Sequence, residues 1–266
     1  MDFKIIAPEN ELIKKYTIIS YEGFLNNVSY YAYPHYGIPI TFLKDVEISI
    51  SSQAILIKPS PKKSIRCIYA NTFYRPIKIE TQGKIEEFCV VFKPYGLSQF
   101  INSPLLVKPT NAFFEFSLFN NFIDNTPDLF MHSLKTKNQL LECYLLNCFN
   151  EKKYTNYIIA SFNDMLSGVY NPSIYPVSNK TFYRAFKNIC GVSSSIVFKI
   201  IQFRKSLERM KEQNSNKTIC QLAHELGYYD QAHFNHTFRK LTDETPCNFF
   251  KAVSSVSEKN FYFKFE

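Results

Sequence analysis

Two sets of polar side chains in this 266-residue sequence fall at spacings that could do chemistry. The first lies in KTICQLAHELGYYDQAHFNHTFRKLTDETPCNFF, residues 217–250. There Gln231, His233, Asn235, His236, Arg239 and Lys240 stand opposite an apolar stripe of Phe234, Phe238 and Leu241, spaced i, i+4, i+7. Amides, imidazoles and cationic heads on one helical face can meet the base edges and phosphates of a duplex. The second set lies 52 residues upstream. Lys180, Thr181, Tyr183, Arg184 and Lys187 stand there opposite Phe182, Phe186 and Ile189, at the same spacing.

Other chemistries find less. His233 and His236 are at i, i+3, but no further ligand sits at zinc spacing, so no metal is expected. The chain has no phosphate-cradling Gly-rich loop and no G-x-S-x-G, and His35 and His132 have no recognisable nucleophile partner. No catalytic residue and no cofactor is expected, and the chain reads as a non-enzyme.

The polar sets require particular elements. Ile219, Leu222, Ala223 and Leu226 follow i, i+3, i+4, i+7, which predicts a one-faced helix. Gly227 follows where a left-handed C-terminal residue is expected, and Asp230 suits an N-cap for the next helix. Two short amphipathic helices joined by a Gly-containing turn form a helix-turn-helix. Ala223 is small where the helices must cross. Upstream, Ser178 offers the equivalent N-cap. Between the units, Ile196, Val197, Ile200, Ile201, Phe203, Leu207 and Met210 mark a long amphipathic helix. Such a connector could hold two reading helices about 34 Å apart, one major-groove turn. Its Arg204, Lys205 and Arg209 are expected at phosphates or in solvent.

Charge agrees with a polyanion partner. The net charge is +8, and residues 151–266 hold 16 of the 31 basic but 10 of the 23 acidic side chains. The seven cysteines are scattered, with no C-x-x-C pair, which suits a reducing compartment. The N-terminus lacks a signal-peptide shape and no apolar run approaches about 18 residues, so a cytoplasmic protein without a membrane partner is expected.

The first 95 residues or so read as β-rich. Ile38, Ile40 and Phe42 alternate, as do Val46, Ile48 and Ile50. Runs at 54–57, 65–69, 77–79 and 88–92 complete a small sheet or barrel, separated by Pro- and Gly-containing turns. Residues 97–102 read as a short helix stopped before Pro104, and 128–150 as helical. A polar stretch at 150–153 marks the expected domain boundary, giving 1–150 and 151–266.

Residues 178–250 resemble the DNA-binding domain of AraC/XylS regulators. Ser178, Phe182, Arg184, Phe186 and Gly191 carry the likeness, then Leu222-Ala223, Leu226-Gly227, Phe234, Phe238, Thr245-Pro246 and Phe249. Residues 83–105, with Phe92-Lys93-Pro94, Tyr95-Gly96, Phe100 and Pro104-Leu105, resemble an N-terminal domain found in some such regulators. The likeness implies an α+β chain: a β-rich N-terminal domain, then an all-α domain of two helix-turn-helix units joined by a long helix. It also implies a sequence-specific transcription regulator of double-stranded DNA. The N-terminal domain would bind a small effector or form a homodimer, and an activator of this kind would also meet RNA polymerase. Two departures stand out. Asn171 and Pro172 fall where the first unit's first helix should run, so that helix is expected to be shortened or lost. Asp243 stands where the family usually has glycine, which implies a different turn. An alternative is an enzyme or sensor module that keeps a degenerate helix-turn-helix for protein docking.

Overall fold

A computed structural model describes residues 2–52, 54–70, 72–102, 113–212, 218–252 and 263–265. The chain begins β1 (Asp2–Ile6), α1 (Glu11–Tyr16), β2 (Thr17–Asn26), β3 (Ser29–Ala32), β4 (Ile38–Lys44), β5 (Val46–Ile50), β6 (Ala54–Pro59), β7 (Ile65–Ala70), β8 (Ile77–Thr81) and β9 (Lys84–Phe92). After β10 (Phe113–Glu115) it is helical: α2 (Asn120–Asn125), α3 (Leu134–Cys148), α4 (Thr155–Ser167), α5 (Asn179–Cys190), α6 (Ser194–Glu212), α7 (Ile219–Glu225), α8 (Gln231–Thr242) and α9 (Pro246–Ala252). A last strand, β11 (Phe263–Phe265), pairs antiparallel with β3 and so departs from an all-α C-terminal part.

The strands form two sheets, ordered β1-β2-β9-β4-β7-β10 and β11-β3-β8-β6-β5. Alternation on β9 explains how the first sheet serves two cores. Phe88, Val90 and Phe92 pack with the helices, while Ile85 packs between the sheets and Glu87 and Val91 line a cavity there. Every strand segment expected from 38 to 92 lies in a strand. Strands β1, β2 and β3 were not anticipated. Residues 97–102 yield only a 3-10 turn at Leu97–Gln99, and Pro104-Leu105 lie outside the described residues. Gly96 is needed there because a Cβ would stand 2.0 Å from the Tyr16 carbonyl oxygen.

Helices α4, α5 and the start of α6 share one buried core with β4, β9, α1 and α3. A second core joins Phe203 and Leu207 of α6 to Leu222, Ala223, Tyr228, Phe234, Phe238, Leu241 and Phe249. Tyr33, just past β3, is buried in that second core with its ring edge-on to Phe249 at 4.8 Å. Residue 150 lies between α3 and α4, within reach of a core that continues on both sides of it.

Candidate nucleic-acid interface

The second unit forms as its pattern dictates. Thr218 and Gln221 make a reciprocal capping box at the start of α7. Ala223 is buried where α7 meets α8. Gly227 takes φ +75°, and Asp230 Oδ1 accepts from the His233 backbone N–H at 2.7 Å to cap α8. α8 ends at Asp243, which adopts φ +60°. The expected different turn is therefore not seen. Asp243 takes the left-handed conformation usually given to glycine, which a short polar side chain tolerates better than most.

The polar set divides by exposure. Gln231, His233, His236, Arg239 and Lys240 are exposed along α8. The ring of Tyr228 meets His233 edge-on at 5.4 Å and steadies the first turn. Asn235 is half-buried on the flank of the helix, and its Oδ1 is shielded without a hydrogen-bond partner among the described residues.

The first unit is built differently. α4 ends at Ser167, Gly168 follows, and a single 3-10 turn over Pro172–Ile174 precedes α5. Tyr175 fills the gap: its ring stacks on Phe182 at 5.4 Å and 3° between planes, and its hydroxyl donates to Asp164 Oδ2 of α4 at 2.5 Å. Burial and the Asp164 carboxylate push that phenol up to about 12. Ser178 Oγ accepts from the Thr181 backbone N–H at 3.2 Å and caps α5. Lys180, Tyr183, Arg184 and Lys187 are exposed along α5. Thr181 is half-buried, its hydroxyl 2.9 Å from Ser178 Oγ and so shared with the cap.

Arg204 was expected at a phosphate or in solvent, and it is neither. It is 3% exposed and walls a cavity of about 110 Å³ between the two sheets. α6 turns this position inward because Val197, Ile200, Ile201 and Phe203 fix its buried face. The lining is chiefly apolar, including Ile55, Ile57, Ile68 and Val91, with Tyr30, Tyr33, His35, Glu87 and Arg204 among its polar members. Burial lifts the Glu87 carboxyl to about 7. Burial and then the Arg204 charge hold His35 well below its ordinary range, and its Nδ1 accepts from the Gly37 N–H at 2.7 Å. No sequence signal marked this cavity, since its walls come from residues scattered between β1 and β10 and from α6. Among the described residues, no cluster of His, Cys, Asp and Glu could hold a metal, and no helix is long and apolar enough to cross a membrane.

A family model described as a helix-turn-helix domain matches residues 174–252, from the 3-10 turn to the end of α9. Residues 174–252 are an AraC-type helix-turn-helix domain. The AraC-type domain is that of DNA-binding transcription regulators, which are not a class of enzyme. Among solved structures, ToxT from Vibrio cholerae in a P21 crystal form is similar at 9% identity and TM-score 0.47, over 96% of this chain and 100% of that one. ToxT from strain SCE256 bound to an unsaturated fatty acid is similar at 10% identity and TM-score 0.38, over 97% and 98%. A search of curated proteins finds no match.

Proposed function

We propose that the chain is a sequence-specific transcription regulator that inserts α8 into a major groove of double-stranded DNA and α5 into the next. One observation carries this reading: both helices turn polar, mostly exposed faces outward from cores of the same spacing on either side of α6. At 19 residues α6 is about 28 Å long, the scale of one groove repeat. Lys180, Arg184, Lys187, Arg239 and Lys240 hold phosphates or read guanine. Gln231, His233, His236, Tyr183 and Thr181 are placed for base edges, with Asn235 at the margin. Residues 151–266 are the DNA-binding part and 1–150 the effector or dimerisation part. The cavity between its sheets, walled on one side by α6, offers a small, mainly apolar effector a polar end at Arg204, His35 and Glu87. As an activator the protein would also touch RNA polymerase.

Selection from a random duplex pool tests the main reading. A single enriched motif is expected, and replacing both Gln231 and His233 by Ala should cost about 1–3 kcal/mol per lost base pairing and relax that motif. An unchanged motif would count against the base-reading assignment. A thermal-shift screen of small apolar acids, amines and neutral compounds on the full chain tests the effector, since a ligand of the folded form raises Tm. Sedimentation at two concentrations tests the dimer.

A second reading has its own observation. Val169 and Ile174, beside the truncated start of the first unit, are 51% and 58% exposed. Apolar side chains there favour α5 docking a protein partner, with α8 alone on DNA. Salt separates the two, because phosphate contacts by both helices steepen the loss of affinity with salt and docking does not.

A further inference from the structure

Tyr229, in the turn between α7 and α8, is 92% exposed. Its backbone is held on both sides. The Tyr228 N–H donates to the Ala223 carbonyl at 3.0 Å, and the Tyr228 ring is buried edge-on to Phe234 at 5.1 Å. On the other side Asp230 caps α8 through the His233 N–H at 2.7 Å. A phenol is thus fixed at its root and presented to solvent at its tip.

Its position decides what it can reach. Tyr229 stands one residue ahead of the N-cap, off the helix, where the chain approaches the first turn of α8. Residues at the N-terminal end of a reading helix meet base edges inside the groove. A residue just ahead of the cap stands at the rim, where sugars and phosphates run. Much of the hydrogen bonding between protein and DNA goes to that backbone, tyrosine hydroxyls among the donors. The first unit has no counterpart. Val177, at the matching offset of 52, is half-buried against the larger core.

We propose that Tyr229 is a backbone clamp of the second unit, its hydroxyl donating to a phosphate oxygen at the rim of the groove that α8 reads. This rests on the DNA-binding reading above. A neutral phenol releases no counterion, so the clamp differs from a cation in salt dependence and from a base-reading amide in sequence dependence.

The test uses the full chain, fluorescence anisotropy, and the duplex that wild type selects from a random pool. Tyr229→Phe should bind about three- to tenfold more weakly, the loss of one hydrogen bond. The loss should be equal on selected and random duplexes, with an unchanged slope of log affinity against log salt. Methylphosphonate substitution at one rim phosphate should weaken wild type and leave Tyr229→Phe no weaker than it already is. The clamp is overturned by Tyr229→Phe binding like wild type, by a loss confined to the selected sequence, or by losses that add at every substituted phosphate. Tyr229→Ala weakening binding where Tyr229→Phe does not would assign the ring rather than the hydroxyl, and also overturns it. If wild type binds no duplex at all, the DNA-binding reading itself has failed, a result separable from the others because it precedes any substitution.

Discussion

The two helix-turn-helix units carry the helices proposed to read DNA, equal in length at 12 residues each, on unequal supports. The second unit has a complete first helix, capped at its start and seated through Ala223. The first has a single turn and a tyrosine that stacks where a helix would lie. The difference extends to the cores. Phe182, Phe186 and Ile189 belong to a core that runs through α4 and α3 to β4 and β9. Phe234, Phe238 and Leu241 belong to a small core whose buried member ahead of α6, among the described residues, is Tyr33. A unit that loses a helix can keep its reading face if it borrows support, and here the borrowed support is the β-rich part. The first unit should therefore respond to whatever happens in the sheets, while the second should answer mainly to α6 and itself.

Core truncation gives the largest test. Phe186→Ala and Phe238→Ala each remove a fully buried ring and should each cost about 3–5 kcal/mol in thermal or denaturant unfolding. Amide exchange should separate them. Phe186→Ala should lower protection in α5 and in β4 and β9 together, whereas Phe238→Ala should lower it chiefly in α7, α8 and α9. Equal loosening of β4 and β9 by both variants would dissolve the contrast.

The next effect is a pH dependence seated in the sheet that supports the first unit. Glu87 faces the cavity beside Tyr21, Tyr30 and Cys89, and burial raises its carboxyl from 4.5 to about 7. The folded chain then holds a proton that the unfolded chain has lost between those values. The stability gained from the protonated form is complete below about pH 4.5 and lost as pH rises to about 7, about 3 kcal/mol in all. Glu87→Gln should remove this slope and exceed wild type in Tm above pH 7. Parallel Tm profiles for the two proteins would show that Glu87 is ionised and solvated in the fold. Protection in α5 should track the pH more closely than protection in α8.

Smaller substitutions probe the two ways of seating a reading helix. Tyr175→Ala uncovers Phe182 and breaks the tie to Asp164, and should cost about 2 kcal/mol. Tyr175→Phe keeps the stack and should recover most of that. In the second unit Thr218→Ala removes the cap and should cost about 1 kcal/mol. If Tyr175→Ala costs no more than Thr218→Ala, the tyrosine does not stand in for a helix.

What could be read from the sequence follows the same division. The second unit was legible because its cues are local: Ile219 to Leu226 at helical spacing, Gly227 at the hinge, Asp230 at the cap and Phe234 to Leu241 beyond. Strands β4 to β9 were legible where Val, Ile and Phe alternate or cluster. β2 and β3 were not, because Ser20, Glu22, Gly23, Asn26 and Ser29 interrupt the apolar pattern. Pro172 foretold a lost helix but not its replacement, since the Tyr175–Phe182 stack depends on how the chain turns between them. Arg204 could not be placed, because only the arrival of α6 against the sheets makes its position interior. Among the residues proposed to contact DNA, exposure singled out Asn235 and Thr181, whose neighbours at a core edge and at a cap no helical wheel displays.

The finest test asks whether both units touch DNA at once. Lys187 and Arg239 occupy the same place on α5 and α8, one offset of 52 apart, and both are exposed. Each cation that neutralises a phosphate contributes about 0.9 to the slope of log affinity against log salt on B-form DNA. Lys187→Ala and Arg239→Ala should each flatten that slope by about one, and the double variant by about two, with sequence preference unchanged. A slope that falls for Arg239→Ala but not for Lys187→Ala would leave the second unit alone on the duplex. The first unit's borrowed support would then hold α5 for a protein partner, and the exposed Val169 and Ile174 beside it would mark where that partner sits.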